Sequence, residues 1–195
     1  MIVDFNKIPK ALRYKLTSNL IIPRPIAWIS TLSKEKVLNL APFSYFTPLS
    51  SAPPTLLVSI GHKKDNSPKD TLKNLRETKK ASITIATYHQ TSLLHLSATP
   101  LDYNISEFKE FNIKTSIIEP NYPPIPQNSK VSFFCKYLKE IELEGSSTIP
   151  VILTIESLFI DDSLIKDKEK LDIEFKEAIA RVGSRYFKLN GEIEI

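Results

Sequence analysis

Lys69-Asp70-Thr71 stands where a β-forming run, Thr55 to Gly61, gives way to helical spacing. Leu72 and Leu75 fall on one side of that segment, with Lys73, Arg76, Glu77 and Lys80 on the other. A helix opening there gathers unsatisfied N–H groups, a dipole end, a threonine hydroxyl and a lysine charge, which is the chemistry of holding an anion such as phosphate. The same residues also suit a capped helix with no ligand, either Ser67 before Pro68 or Asp70 itself serving as the cap. Small hydroxyls and turn residues end two other β-rich segments. Ser30 and Thr31 close Pro23 to Thr31, and Ala41-Pro42-Phe43-Ser44 lies in the run from Asn39. Ser59 and Gly61 end the third, Gly61 being a residue that tolerates a positive φ. Such rims present donors to a phosphorylated, planar ligand, although the same hydroxyls also serve as ordinary strand and turn residues.

The elements that must position these residues are short. Ile26 to Leu32 and Val37 to Phe46 read as a hairpin across Ser33 to Lys36, and Thr55 to Ile60 as a third strand. Pro53-Pro54 should lie outside the sheet, because proline has no ladder donor. A helix over 69–80, a strand over Ala81 to Thr87 and a short helix over Gln90 to Ser97 follow. The segment from Pro100 to Gln127 is irregular, with a helical patch at Ser106 to Phe111 and a length typical of lids or partner contacts. Val131 to Leu143 and Ile149 to Ile160 form a long antiparallel pair, and Ile179 to Phe187 ends the pattern. Hairpin-linked strands with short helices between them favour a mainly β fold, a closed antiparallel barrel with peripheral helices.

With 195 residues, 42% hydrophobic and 25% charged, the chain is expected to be one domain, 1–195. The formal charge of +4 does not argue for nucleic acid, since acidic residues are interspersed and no stripe of bases and aromatics appears. A solvated basic face that attracts phosphorylated ligands is the better reading. No secretory leader and no apolar run of the ~18 residues a bilayer demands is present, so a cytoplasmic location with no membrane partner is expected. The lone Cys135 sits in a buried-strand pattern and reads as a core thiol. His62, His89 and His95 lack ligand spacing, so no metal is expected. Four glycines leave no room for a phosphate-binding loop or a dinucleotide fingerprint. Arg24, Arg181 and Arg185 each suit a phosphate clamp or a surface ion pair, and Trp28 reads as a core or interface ring with cofactor stacking second.

Taken in order, Pro-Arg-Pro-Ile-Ala-Trp-Ile-Ser-Thr at 23–31, Asn-Leu-Ala-Pro-Phe-Ser-Tyr-Phe at 39–46, Lys69-Asp70-Thr71, Ser97-Ala98-Thr99, Glu107-Phe108 and Ala-Arg-Val-Gly-Ser-Arg-Tyr at 180–186 resemble the flavin reductase-like, flavoredoxin-type family. Lys34-Glu35-Lys36 stands where that family's turn carries Asp-Gly. The resemblance implies an antiparallel split β-barrel of the FMN-binding type, non-covalent FMN and a homodimer. It ranks Arg181 above Arg185, and gives as cofactor-binding residues Trp28, Ser30, Thr31, Ala41, Pro42, Phe43, Ser44, Ser59, Gly61, Lys69, Asp70, Thr71 and Arg181. The function implied is an oxidoreductase in which NADH or NADPH, visiting transiently, gives a hydride to FMN. Electrons then pass to a small-molecule or protein acceptor. No catalytic side chain is needed, because the flavin carries the chemistry. The alternatives are a non-catalytic electron carrier or flavin store, and a cofactor-free barrel that binds protein or nucleic acid.

Overall fold

The computed structural model describes residues 1–189. After a single 3-10 turn at Phe5–Lys7 comes a helix, α1 (Lys10–Leu20), in a region where sequence reading assigned no element. Strands β1 (Arg24–Pro25), β2 (Ala27–Leu32), β3 (Leu38–Phe43), β4 (Phe46–Ser51) and β5 (Pro54–Gly61) follow, then α2 (Asp70–Thr78) and β6 (Lys80–Ile85). Two short helices, α3 (Thr91–Leu96) and α4 (Glu107–Glu110), precede the two-residue strands β7 (Thr115–Ser116) and β8 (Ile125–Pro126). The long strands β9 (Val131–Glu140) and β10 (Thr148–Ile160) come next. The last are β11 (Ile165–Asp167), β12 (Asp172–Ile173), β13 (Ile179–Val182) and β14 (Arg185–Lys188).

Seven strands form one antiparallel sheet in the order β3-β2-β6-β9-β10-β5-β4, and β1-β13-β14 form a small second sheet. The expected closed barrel is corrected here: the ladder is open, with β3 and β4 at its edges. Those edges are consecutive in the chain, joined through Ser44 and Tyr45, so the sheet curls without its two ends exchanging hydrogen bonds. The fold is mainly β with a few helices packed around it.

Both faces of β2 are covered. Ala27 and Ile29 join a core with Val58, Ile60, Ile83, Leu153 and the helix residues Leu72 and Leu75. Ile26 and Trp28 face the other way, into a second core with Leu40, Leu94, Phe108 and Ile179. The period-2 alternation of a strand produces this split. Leu72 and Leu75 are fully buried, and burial of such a side chain is worth about 1.5–3 kcal/mol, enough to fix how α2 lies across the sheet.

Several local expectations change. Pro54 is inside the sheet as the first residue of β5, a position where a missing donor is tolerated, while Pro53 stays in the turn. Neither Ser67 nor Asp70 caps α2. Lys69 holds the N-cap position without a side-chain bond, and Ser67 instead donates from Oγ to Asp65 Oδ1 at 2.6 Å. The segment 100–127 packs in part on its own chain, with Phe108 and Ile113 in the second core and Tyr122 and Ile125 against Phe134, while Ile105, Ile117 and Ile118 stay exposed.

Candidate functional site

A groove in two lobes runs past the end of β3 and the start of α2. Pro42, Phe43, His62, Lys69 and Ala98 border both lobes and form a waist between them. Lys69 lies across that waist, its Nζ 5.6 Å from the centre of the Phe43 ring. Although Lys69 as a residue is exposed, its ammonium lies along the groove wall. Lost hydration lowers its pKa, and the nearby Asp70 charge opposes that shift.

The second lobe, about 530 Å³, opens beside the first turn of α2. Because no side chain caps that helix, its leading N–H groups remain available to an anion. Asp70 is paired with Lys63 at 2.5 Å. Thr71 is 1% exposed, and its hydroxyl accepts from Asn39 Nδ2 at 2.9 Å. Beneath them Asn74 Nδ2 donates to Thr31 Oγ1 at 3.1 Å, and the Tyr103 hydroxyl donates to Asn74 Oδ1 at 2.9 Å. This buried network is a rigid floor, since an unmet buried donor would cost about 1–3 kcal/mol. The wall opposite carries Glu107, which is buried and accepts from the Leu40 N–H at 2.8 Å on the outer edge of β3. Burial pushes the Glu107 carboxyl up from its ordinary 4.5 to about 7, with the Asp70 charge adding to the rise and the Leu40 N–H and Lys63 opposing it.

The first lobe, about 380 Å³, is walled by the end of β5, the Ser44-Tyr45 connection, Tyr14 of α1 and Arg181 of β13. Tyr14 and Tyr45 stack with centroids 6.1 Å apart. The Arg181 guanidinium lies 4.5 Å from the Tyr186 ring centre and donates from Nε to the Gly183 carbonyl at 3.2 Å. Arg24, paired opposite Arg181 in the small sheet, donates to the same carbonyl from Nη2 at 3.1 Å.

Ten sequence-predicted site residues meet at this groove: Pro42, Phe43, Ser44, Ser59, Gly61, Lys69 and Arg181 at the first lobe, with Ala41, Asp70 and Thr71 added at the second. Three do not reach it. Trp28 and Ser30 are fully buried on the face of β2 under α3 and α4, where the Trp28 Nε1–H donates to Ser97 Oγ at 2.9 Å. Thr31 is buried under α2 within the amide network. The reason is the same for all three: β2 is an inner strand covered on both faces, so alternation aims side chains into a core on either side. Gly61 also needs correction. Its φ is not positive, and an added Cβ would meet only the Ser147 carbonyl at an ordinary 3.9 Å. Arg185 lies against Phe187, outside both lobes.

Sequence reasoning missed Glu107, Asn39, His62, Ala98 and the two tyrosines of the first lobe. Glu107, Asn39 and Ala98 lay inside motifs already singled out, and the remaining signal, a lone acid before an aromatic, has no spacing partner that marks it. Among the described residues no helix is long and apolar enough to cross a membrane, and no three of His, Cys, Asp and Glu gather to hold a metal.

Comparison with known proteins bears on this groove. The family model for the flavin reductase like domain matches residues 19–171. An uncharacterized protein of Aquifex aeolicus (strain VF5) is 30% identical over 186 residues, covering 93% of this chain and 92% of that protein. Component B of nitrilotriacetate monooxygenase from Bacillus cereus has a TM-score of 0.90 at 26% identity, covering 100% of this chain and 98% of that one. The 2-nitrobenzoate 2-nitroreductase NbaA of Pseudomonas fluorescens, at 22% identity, shares the fold with a TM-score of 0.89 over 100% of this chain and 95% of that one.

Proposed function

The chain belongs to the flavin reductase-like family, and on that premise we propose that the groove holds FMN and that the protein is an oxidoreductase fed by NADH or NADPH. The observation that carries the reading is the uncapped start of α2, which opens with Lys69 into a lobe continuous with a waist that presents Pro42, Phe43 and Ala98. The residues fit the group. The leading N–H groups of α2 and the Lys69 ammonium match a phosphate, Pro42 and Phe43 offer flat apolar contact, and Ser44 and Ser59 bring short hydroxyls to the first lobe. When bound, the flavin supplies the hydride and electron chemistry.

The chain's own residues bind, orient and tune. The second lobe holds the phosphate end, and the first lobe faces the ring, with Arg181 placing a fixed positive charge beside it. The open mouth of the first lobe leaves a path for a nicotinamide nucleotide and then for a small-molecule or protein acceptor. FMN is preferred to FAD, because a phosphate seated against the start of α2 leaves little room for an adenylate. Equal affinity for the two flavins in a titration of the apoprotein contradicts that placement.

A homodimer accompanies this reading. Leu12 and Leu20 on α1, Ile21 and Ile22 after it, and Tyr45 and Leu49 near the unpaired edge of β4 are all exposed, an apolar surface adjoining the first lobe. Trp28 and Phe46 are buried and take no part in it. An obligate interface would cover about 2,000 Å² or more. Sedimentation at high dilution tests it, a monomer with full flavin affinity being the contrary result.

The spectrum of freshly purified protein tests the flavin, and anaerobic addition of NADH or NADPH tests the reaction. Flavin absorbance that bleaches on addition supports the oxidoreductase. Absorbance that persists supports an electron carrier or flavin store instead.

A further inference from the structure

The second lobe carries three cations, Lys63, Lys64 and Lys69, against three acids, Asp65, Asp70 and Glu107. These acids are not alike. Asp65 is exposed, and Asp70 is matched by Lys63 at 2.5 Å. Glu107 is 5% exposed, and among the described residues no cation stands within ion-pair distance of it. Its one cross-element bond is the neutral Leu40 N–H. His62 is the remaining titratable group on the lobe wall, while Lys109 and Glu110 of Glu107's own helix are exposed, and His95 of α3 meets the Tyr186 hydroxyl at 3.4 Å.

A phosphate entering this lobe adds negative charge beside a buried carboxyl that no cation pairs directly, Lys63 being already taken by Asp70. Asp65 and Asp70 keep their charge through solvent and through Lys63. Glu107 is shut off from solvent and feels Lys63 only at a distance, so a proton is the cheapest way to relieve the repulsion. We propose that Glu107 is a proton-linked specificity residue, taking up a proton from solvent when a phosphoryl group occupies the second lobe. The carboxylate becomes a carboxylic acid, one proton leaves bulk water, and one unit of the negative charge brought by the phosphate is offset. Leu40 N–H remains bonded in either state, so the switch needs no movement of β3.

The consequence is a pH dependence of opposite sense to that of a simple cation site. A flavin phosphate, whose second pKa is about 6, is largely dianionic above neutrality, yet binding weakens as pH rises and the proton must be drawn from a scarcer supply. This inference rests on the flavin reading. Calorimetric titration with FMN at about pH 7.5, in two buffers of different ionisation enthalpy, should register uptake of about half a proton if ligand binding raises the Glu107 midpoint by one unit. Over the same change FMN affinity should fall roughly fourfold between about pH 6.5 and about pH 8. Riboflavin, which lacks the phosphate, should bind with no uptake through Glu107.

E107Q keeps an acceptor for the Leu40 N–H and should abolish both the uptake and the alkaline weakening. D70N, which removes the neighbouring like charge and frees Lys63, should shift the midpoint to lower pH, and it serves as the test if E107Q does not fold. FMN binding without proton uptake, uptake unchanged in E107Q, or a midpoint unmoved in D70N overturns the assignment while leaving the flavin reading intact. Failure of the chain to bind FMN at any pH overturns both.

Discussion

The two lobes meet at one waist and differ in the kind of charge they hold. No acid borders the first lobe among the described residues, and its cations, Lys69 and Arg181, are held over the rings of Phe43 and Tyr186. The second lobe interleaves acids and lysines above a floor of buried amides and hydroxyls. A fixed positive field suits a ring that gains electrons. A wall with a buried, unpaired carboxyl suits a group whose charge must be sensed. Neighbouring parts of one groove, built on one strand end, thus acquire different electrostatics from what lies behind them.

The largest expected effect concerns Glu107 and the stability of the chain itself. The folded chain holds this proton up to about pH 7 and the unfolded chain only to about 4.5. Between those values the folded state binds more protons, so stability is fully present below about pH 4.5 and is lost as pH rises through about 7. That term is on the order of 3 kcal/mol. Denaturation of wild type and E107Q across this range should show the slope in wild type and its loss in the variant. Equal slopes would show that the second lobe is no more strained by charge than the first.

Asn39→Ala probes the floor of the second lobe. Losing its bond to Thr71 in a buried site should cost about 1–3 kcal/mol in chemical denaturation. Ser44→Ala, at the partly exposed connection of the first lobe, should stay within about 0.5 kcal/mol. Comparable losses at both positions would erase the contrast between a rigid floor and an open wall.

Arg181 should have only a modest effect on FMN affinity. Arg181→Met should reduce it by less than about tenfold, a loss below about 1.4 kcal/mol, because in the proposed placement the guanidinium faces the ring end and not the phosphate. A larger loss than that caused by removing the Lys69 charge would exchange the ends of the ligand between the lobes.

How legible this was in the sequence depended on whether a residue's neighbours were local. The strand end at Ala41 to Phe43 and the helix start at Lys69 to Thr71 were readable, because prolines, hydroxyls and a change of period mark them within a few residues. Trp28, Ser30 and Thr31 were misplaced because alternation looks the same in a strand with one open face and in one covered on both. Only the pairing of β2 between β3 and β6, and the helices above and below, decides it. Helix α1 carries Leu12, Leu16 and Leu20 at helical spacing, a pattern the motif-led reading passed over. The open ladder was hidden for another reason: strand order across β9, β10 and β5 joins residues far apart in the chain. Glu107 shared this fate, since its meaning comes from Leu40, 67 residues away.

The most direct test of the central claim is to titrate wild type and Lys69→Met with both FMN and riboflavin. A phosphate held at the start of α2 gives wild type a preference for FMN, and losing one charge-assisted bond, worth roughly 1.5–3 kcal/mol, should remove about ten- to a hundredfold of FMN affinity. Riboflavin affinity should stay the same in both proteins. A substitution that weakens the two ligands equally, or neither of them, would contradict the placement of a flavin phosphate in the second lobe.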